Sequence, residues 1–449
     1  MSDWEPTLSV WETSFQALSD RLLASLTGSE ELSLELSGEH SQFIRFNRAK
    51  VRQTGLVRDA RVKVQLIEGD RTAALSLPFT GDLESDFSIA QTELTRLRQE
   101  LPQLPVDPYL VRPKTGESSH QTCTGELLPA NETVASILGA VPDLDFTGFY
   151  AAGPIVRANR NSAGQSHWFA TETYVLDYSI INANEKAIKQ TLAGSNWDQA
   201  AFEKQIHQAR QQCAILERSP MLISPGQYRT YFAPDAVAEL AGMFSWGGIS
   251  EMSLRKGGSA LAKLHSGQSL SCLFNLQENF THGTVPRFNE VGEIAPETLP
   301  LIGAGELLNT LVNSRTAQEY GITANGANLY ESLRALEIAP GELDPAEVLE
   351  HLGTGLYLSN LHYLNWSDRA GGRITGMTRY ACFWVEGGEI VAPIQDLRFD
   401  DSLYSFLGPN LEALTQTQAY VPAVDTYEAR SLGGAWVPGM MVRAFTFTL

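Results

Sequence analysis

The chain has 449 residues, 43% of them hydrophobic and 19% charged, which excludes a single small module and wholesale disorder. Lys and Arg total 33 against 52 Asp and Glu, and the formal charge of −19 argues against a general binder of nucleic acid or of anionic membrane. Cys123, Cys213, Cys272 and Cys382 stand far apart with no CxxC pair, so reduced thiols are expected rather than a zinc knuckle or a disulfide scaffold. The opening MSDWEPTLSVWETSF lacks the basic, apolar, small-residue order of a signal peptide, and no apolar stretch approaches the ~18 residues needed to span a membrane. A cytoplasmic location without membrane contact is the expectation.

Leu8, Trp11, Phe15, Leu18, Leu22 and Leu26 recur at helical spacing, which predicts a helix over Trp4–Leu26 that Gly28 ends. From Leu32 the period becomes two. LSLEL, SQFIRFN, KVRQTGLV, ARVKVQLIE and RTAALSLPF, separated by Gly or charged turn residues such as Glu68-Gly69-Asp70, read as an antiparallel meander of four or five strands. A second helix over Leu83–Leu101, with Phe87, Ile89, Leu94 and Leu97 on its apolar side, can cover that sheet. The polar, turn-rich VRPKTGESSHQTCTGELLPA predicts an exposed connection or lid, followed by a helix over Glu132–Ala140. Strand patterns return in DFTGFYAAG, PIVRANRN, SHWFATETYVLDYSII and KAIKQTLAG, and a helix over Trp197–Leu216 closes the first half.

The second half opens with the strand GQYRTYFAP and the helical DAVAELAGMF, after which SLSCLFNL, GTGLYLSNLHYLNW, RYACFWVEGGEIVAPI and VPGMMVRAFTFTL alternate as strands. The expected fold class is α+β: an N-terminal helix-plus-antiparallel-sheet domain over residues 1–218 and a β-rich C-terminal domain over 219–449. The acidity is uneven. From Pro286 onward there are 20 acidic and 9 basic residues, all nine of them Arg. The opposite bias occurs over Phe43–Lys63, where Arg45, Arg48, Lys50, Arg52, Arg58, Arg61 and Lys63 alternate with Ile44, Val51, Val57, Val62 and Val64. That alternation reads as a solvated cationic face over an apolar one rather than as a nucleic-acid stripe.

Local catalytic motifs are missing. The eight histidines form no pair at i, i+3 or i, i+4 that one helix could present to a metal, and only an assembled set such as His265, Cys272 and His282 remains conceivable. There is no GxSxG elbow, and Cys382 in the apolar RYACFWVEGG reads as a buried inert thiol. The pairs Gly247-Gly248, Gly257-Gly258 and Gly371-Gly372 fit neither GxGxxG nor a Walker pattern and are read as turns.

Whole segments carry a resemblance instead. FIRFNRAKVRQTG, ANRNSAGQS, PRFNEVGE with LLNTLVNSRTAQEYG, GLYLSNLHYLNW and GRITGMTRYACFWVEGGEIVAPI resemble the TldD/PmbA family, once described as modulators of DNA gyrase. The resemblance runs over nearly the whole chain. It implies a peptidase in which an active TldD subunit pairs with a TldE (PmbA) subunit. In the active subunit HExxxH on a helix supplies two zinc ligands and a base, and a cysteine near the C-terminus supplies the third ligand. Aligned on Pro234-Asp235, this chain has Gly242, Met243 and Gly247 at the His, Glu and His positions, and aligned on Pro438 it has Arg430 at the cysteine position. No slip of register creates a ligand, because Arg229–Leu264 contains no His and no Cys follows Cys382.

The resemblance therefore implies a TldE-like partner subunit with no catalytic residue, no metal ligand and no cofactor of its own. Zinc is expected in an HExxxH-bearing partner, and small peptides or unfolded segments are the expected substrate. Two other readings are a homodimeric binding or scaffold protein and a free-standing hydrolase with an unusual site. Since a peptidase for unfolded segments must accept many sequences, substrate is expected to add as a strand to a sheet edge. The glycine-flanked strands around Gly353–Trp366 and Gly372–Trp384 are the candidate edge, with Ser359, Asn360, Arg373, Thr375, Thr378 and Arg379 as candidate substrate-binding residues.

Overall fold

The computed structural model describes residues 5–448; Trp4 and Leu449, at the ends of the expected first helix and last strand, lie outside the described residues. The elements below are those of the described residues. Helix α1 (Glu5–Ala24) turns Trp11, Phe15, Leu18 and Leu22 inward, as the spacing predicts. Then come β1 (Glu31–Asn47), β2 (Lys50–Glu68) and β3 (Arg71–Pro78). The five strand-like runs merge into three strands. Gly38, which separates two of the runs, is not a turn: it lies mid-strand, where a Cβ would stand 2.9 Å from Ala60 Cβ and 3.1 Å from the Trp11 ring. Glycine there lets α1 settle on the sheet.

Helix α2 (Leu83–Glu100) is capped by Asp82, whose carboxylate accepts from Ser85 N at 2.8 Å. Its inner face holds Ala90, Leu94 and Leu97, while Ile89, expected inside, is 46% exposed. The turn-rich segment is not entirely a loop. It contributes β4 (Ser119–Cys123), which pairs in parallel with His167–Thr171. Helix α3 (Thr133–Gly139) precedes β5 (Asp145–Asn161), β6 (Ser166–Ile181) and β7 (Ala187–Gly194), and α4 (Gln199–Leu216) follows. The sheet runs β3-β2-β1-β5-β6-β4, with β7 also on β6. Helices α1 and α2 cover one end through Leu34, Val62, Val64, Leu94 and Val156, and α3 and α4 cover the other through Phe146, Tyr150, Tyr178 and Phe202.

The second sheet is assembled from β8 (Gly226–Phe232), β9 (Leu276–Asn279), β10 (Thr298–Gly303), β11 (Glu306–Leu307), β12 (Ala335–Ile338), β13 (Gly355–Asp368), β14 (Arg373–Glu386), β15 (Glu389–Pro393), β16 (Arg398–Ser402), β17 (Leu411–Pro422) and β18 (Gly434–Phe447). β18 is its hub, parallel to β12 and antiparallel to β8, β16 and β17. Phe232, Leu358, Phe399, Met440 and Phe445 share the core with Val237 and Leu240 of helix α5 (Pro234–Gly242). The expected strand SLSCLFNL is mostly absent, with only Leu276 in β9. The stretch before it turns so that Leu270 N reaches Gly305 O and Phe274 N reaches Ser271 O, and both apolar side chains are buried without a ladder. The fold class is α+β, with a helix-plus-antiparallel-sheet N-terminal part and a strand-rich C-terminal part. No helix of the described residues is long and apolar enough to cross a membrane.

Candidate functional site

The two sheets enclose a cleft of about 950 Å³. One wall is N-terminal, with Glu35 of β1, Arg157 of β5, Asp177 of β6 and Lys189 and Thr191 of β7. The other is C-terminal, with one face of α5, the Met243–Trp246 turn, β13 and the loop between β17 and β18. Proline at the first position and Asp235 in the first turn start α5 where the missing amide is not needed and the helix dipole welcomes an anion. Ala236, Val237, Leu240 and Ala241 pack into the core, so Asp235, Ala238, Glu239 and Gly242, at i, i+3, i+4 and i+7, face the cleft.

These carboxylates sit among few cations. Lys189 Nζ pairs with Asp177 Oδ2 at 3.0 Å, and Thr191 Oγ1 donates to Asp177 Oδ1 at 2.7 Å. Burial pushes Asp235 up to about 6 against the opposing pull of its own backbone N–H and of Lys189, and burial also raises Glu239. Across the cleft burial raises Glu35 and lowers Arg157, each partly offset by the other. Burial first, then the charges of Arg379 and Lys189, hold the His362 imidazole below its ordinary value. The cleft thus offers carboxyls that burial makes easier to protonate and an imidazole that is harder to protonate than usual, beside apolar Leu36, Phe288, Leu361 and Trp246.

Asn360 to Leu364 of β13 line the cleft as five consecutive residues. Alternate side chains of a strand point to opposite faces, so a consecutive run means that the strand presents its edge. β8 pairs with β13 only over Leu356–Leu358, and Ala233 N to Leu358 O at 2.9 Å is the last bond on that side. Tyr363 (φ +53°) on β13 and Tyr380 (φ +65°) on β14 are both left-handed and both line the cleft. Non-glycine residues in that region cost about 1–3 kcal/mol each and gather where a site dictates the backbone.

Of the candidate binding residues, Asn360 lines this cleft, and Ser359 supports it by donating its hydroxyl to Asn360 Oδ1 at 2.7 Å. β14 is not an edge, which corrects the expectation for the second strand. It is flanked by β13 on one side and by β15 and β16 on the other, and its side chains are committed elsewhere. Thr375 Oγ1 donates to Phe399 O at 2.9 Å, Thr378 Oγ1 accepts from Leu397 N at 2.9 Å, and Arg373 pairs with Asp400 at 2.6 Å. The Arg379 guanidinium lies over the Tyr380 ring at 5.4 Å. Sequence reasoning missed Asp235, Glu239, Asp177 and Lys189. The i, i+4 carboxylates opposite the apolar positions of α5 were a usable signal, whereas nothing local in KAIKQTLAG marks Lys189.

The positions where the resemblance puts zinc ligands do not fit a metal. Gly242 ends α5, Met243–Ser245 tightens to a 3-10 turn, and Gly247 has φ +78°, so the helix has ended before the second ligand position. Gly242 and Met243 line the cleft but offer no donor a zinc ion would take. Arg430 points away from them into the N-terminal sheet. Its Nη1 donates to Ser41 Oγ at 3.2 Å and Gly153 O at 3.0 Å, and its Nη2 donates to Thr173 O at 3.0 Å and Thr173 Oγ1 at 2.9 Å. His282 stacks on Trp436 at 4.6 Å and faces Glu337, and Cys272 is exposed. Among the described residues no three His, Cys, Asp or Glu side chains come together as a metal site, the set of His265, Cys272 and His282 included.

Three solved structures share this fold across almost the whole chain. A candidate modulator of DNA gyrase from Thermotoga maritima superimposes with a TM-score of 0.77 at 16% identity, covering 97% of this chain and 100% of its own. TldE from Thermococcus kodakarensis gives 0.79 at 14% identity over 96% and 100%. A candidate modulator of DNA gyrase from Bacteroides thetaiotaomicron gives 0.75 at 13% identity over 100% and 99%. No curated protein matches the chain. At these identities the likenesses speak for the fold, but residues 225–449 also match the sequence model of the PmbA/TldA metallopeptidase C-terminal domain. With half of its length in that match, the chain belongs to the TldD/PmbA family.

Proposed function

We propose that this chain is the metal-free, TldE-like subunit of a two-subunit peptidase, in which an HExxxH-bearing partner holds the zinc and this chain supplies one wall of the peptide chamber. The observation that carries the reading is the end of α5 at Gly242, followed by the left-handed Gly247. A ligand pair needs one continuous helix face, and here the backbone leaves the helix between the two positions. The cleft supports the second half of the reading. The free β13 edge from Ser359 to Leu364 offers main-chain groups to an extended peptide of any sequence, with Asn360 beside it and the α5 carboxylates positioned for an amino terminus or a basic side chain. Small peptides and unfolded segments are the substrates such a wall suits, and the cytoplasm is where the reading places the pair.

The test is purification from native extract and identification of the bound chain, followed by reconstitution. The expected result is an HExxxH-bearing homologue in stoichiometric amount, zinc in that chain alone, and peptide turnover only by the pair. One tightly held zinc per copy of this chain, with chelator-sensitive proteolysis by it alone, would sink the proposal.

A further inference from the structure

Seven basic residues and one acid lie between Phe43 and Lys63, a local surplus of positive charge in a chain of net charge −19. The expected solvated face over an apolar face holds for only half of this segment. Ile44, Val62 and Val64 are buried, but Val51 is 40% exposed and Leu56 69%. From Lys50 to Asp59 every residue of β2 is exposed except half-buried Val57, because the helices that cover the sheet do not reach this far. β3 pairs only with Arg61–Glu68, and the last bond on that side is Phe79 N to Ala60 O at 2.8 Å. In an antiparallel ladder alternate residues turn both main-chain groups to the same neighbour, so Arg58, Leu56 and Thr54 present N–H and C=O outward with no strand to receive them.

The charges are as unattended as the ladder. Arg61 lies 3.6 Å from Asp59 and Lys63 lies 3.9 Å from Glu35, which leaves Arg45, Arg48, Lys50 and Arg52 without a carboxylate partner among the described residues. The hairpin that carries them is preformed. Arg48 and Ala49 both have φ +51°, and Ala49 N donates to Phe146 O at 2.9 Å, which pins the tip to β5. Cations on an edge strand commonly guard against aggregation. A guard needs only one or two of them and keeps apolar side chains turned in, whereas this edge runs for ten residues and exposes both Leu56 and Val51.

We infer that the outer edge of β2 from Lys50 to Asp59, with Arg45 and Arg48, is an interaction surface for the acidic C-terminal half of a second copy of this chain. The charge match is on the chain itself, since residues from Pro286 onward carry 20 acids and 9 bases. Pairing of two such edges with each other is disfavoured, because it would set Lys50, Arg52 and Arg58 of one copy against the same cations of the other. A reciprocal arrangement, each edge on the partner's C-terminal half, closes under two-fold symmetry and leaves nothing to propagate. Nucleic acid fits less well, because Phe46 is buried, Phe43 is half-buried, and the remaining surface repels a polyanion. This inference uses only the charge and strand edge of this chain and does not depend on the HExxxH partner.

The test is light scattering on the full chain at about 50 mM and 500 mM salt, across a Debye length that shrinks roughly threefold. The parental chain should have twice the chain mass at low salt and lose at least tenfold in dimer affinity at high salt. The variant Arg45→Glu/Lys50→Glu/Arg52→Glu should be monomeric at both, with an unchanged circular dichroism spectrum. Should that variant misfold, Lys50→Gln/Arg52→Gln must still weaken the dimer severalfold. Leu56→Pro, which removes one outward N–H and no charge, should weaken it at least tenfold. Zero-length carbodiimide cross-linking should join Lys50 to carboxylates beyond Pro286 of the other copy. Dimers of the charge variant at parental affinity, cross-links confined to the N-terminal half, or a monomeric parental chain that binds duplex DNA would each overturn the inference.

Discussion

Replacing Arg430 with methionine keeps most of the apolar stem of the side chain and removes its guanidinium. Arg430 lies on the loop between β17 and β18, whose neighbouring residues Ala423, Val424 and Leu432 wall the cleft, yet its side chain is 4% exposed inside the N-terminal sheet. Gly153, whose carbonyl accepts from Arg430 Nη1, lies where the backbone of β1 leaves no room for a side chain. A Cβ at Gly153 would stand 2.1 Å from His40 O, and its φ of +139° is a backbone that other residues rarely adopt. Burial pushes the Arg430 guanidinium down to about 10, against the opposing pull of Glu39. The charge is retained at neutral pH because two carbonyls and two hydroxyls receive it. Methionine would take the side-chain donors away from the carbonyls of Gly153 and Thr173 and one cation away from the 4%-exposed Glu39. Removing one partner of a buried charge typically costs ~3–5 kcal/mol. The lower end is expected here, because Glu39 keeps the Ser41 hydroxyl at 2.7 Å and the Arg430 backbone N–H at 3.3 Å. A loss of ~3 kcal/mol corresponds to a Tm lower by roughly 6 °C at about 2 °C per kcal/mol for a chain of this size. Calorimetry at pH 7.5 measures the loss, and hydrogen exchange over residues 423–433 locates it. Arg430→Lys should recover only part, since one ammonium cannot span both carbonyls. A methionine variant that melts within 1 °C of the parent, with unchanged exchange in that loop, would refute the reasoning.

Four further outcomes can be checked. Asp235→Asn should stabilise the chain by about 1–2 kcal/mol at pH 8 and by nothing near pH 3.5. The folded chain keeps the Asp235 proton up to about pH 6 while the unfolded chain releases it near the ordinary value of 3.8, so the folded state binds more protons between these values and parental stability falls as pH rises through that window; equal stabilisation at both pH values would contradict the assignment. A thiol reagent should label exposed Cys272 first and reach Cys213 and Cys382, both pushed up to about 11 by burial, only on unfolding; rapid native labelling of Cys382 would contradict its burial. Gly242→His/Gly247→His should acquire no stoichiometric zinc by elemental analysis, and it should melt lower because φ +78° at Gly247 strains any side chain. In a reconstituted pair, Asn360→Ala should raise KM for peptide severalfold while Thr375→Val leaves it unchanged, because only Asn360 reaches the cleft; the reverse order would remove β13 as the substrate edge.

Much of the fold was legible because its periods are strong and local. Trp11, Phe15, Leu18 and Leu22 identify α1, and Leu32, Leu34 and Leu36 identify the inner face of β1. One glycine was a source of error. At Gly38 the residue that reads as punctuation is a place of close approach between strand and helix, a distinction that depends on Trp11 lying 27 residues earlier in the chain. The segment SLSCLFNL failed for a different reason. Its apolar alternation serves two separate anchors, Leu270 and Phe274, that a turn can bury as well as a strand. The candidate site was half legible. The missing ligands could be counted, and β13 was singled out, but whether a strand is an edge depends on its neighbours in space, and β16, which covers β14, lies beyond the run RYACFWVEGGEIVAPI that was read as strand. Lys189 and Asp177 meet α5 only through the closure of two sheets that no local pattern encodes.

The position of β18 bears on how this chain is made. The strand that pairs with β8, β12, β16 and β17 is the latest of them in sequence, and Met440 meets Phe232 across roughly 200 residues. At about 5–20 residues per second a ribosome needs roughly 10–40 s to supply the strand after β8 has been synthesised. The N-terminal sheet, complete by β7, can fold in that interval. The second sheet cannot, because β8 and β12 have no partner along the flank that β18 will occupy, and their apolar faces stay open until the last strand arrives. Loops this long also close slowly. Synthesis therefore passes through a state with one finished half and one waiting half, and the waiting half is where a chaperone, or an unrelated strand, would find this chain first.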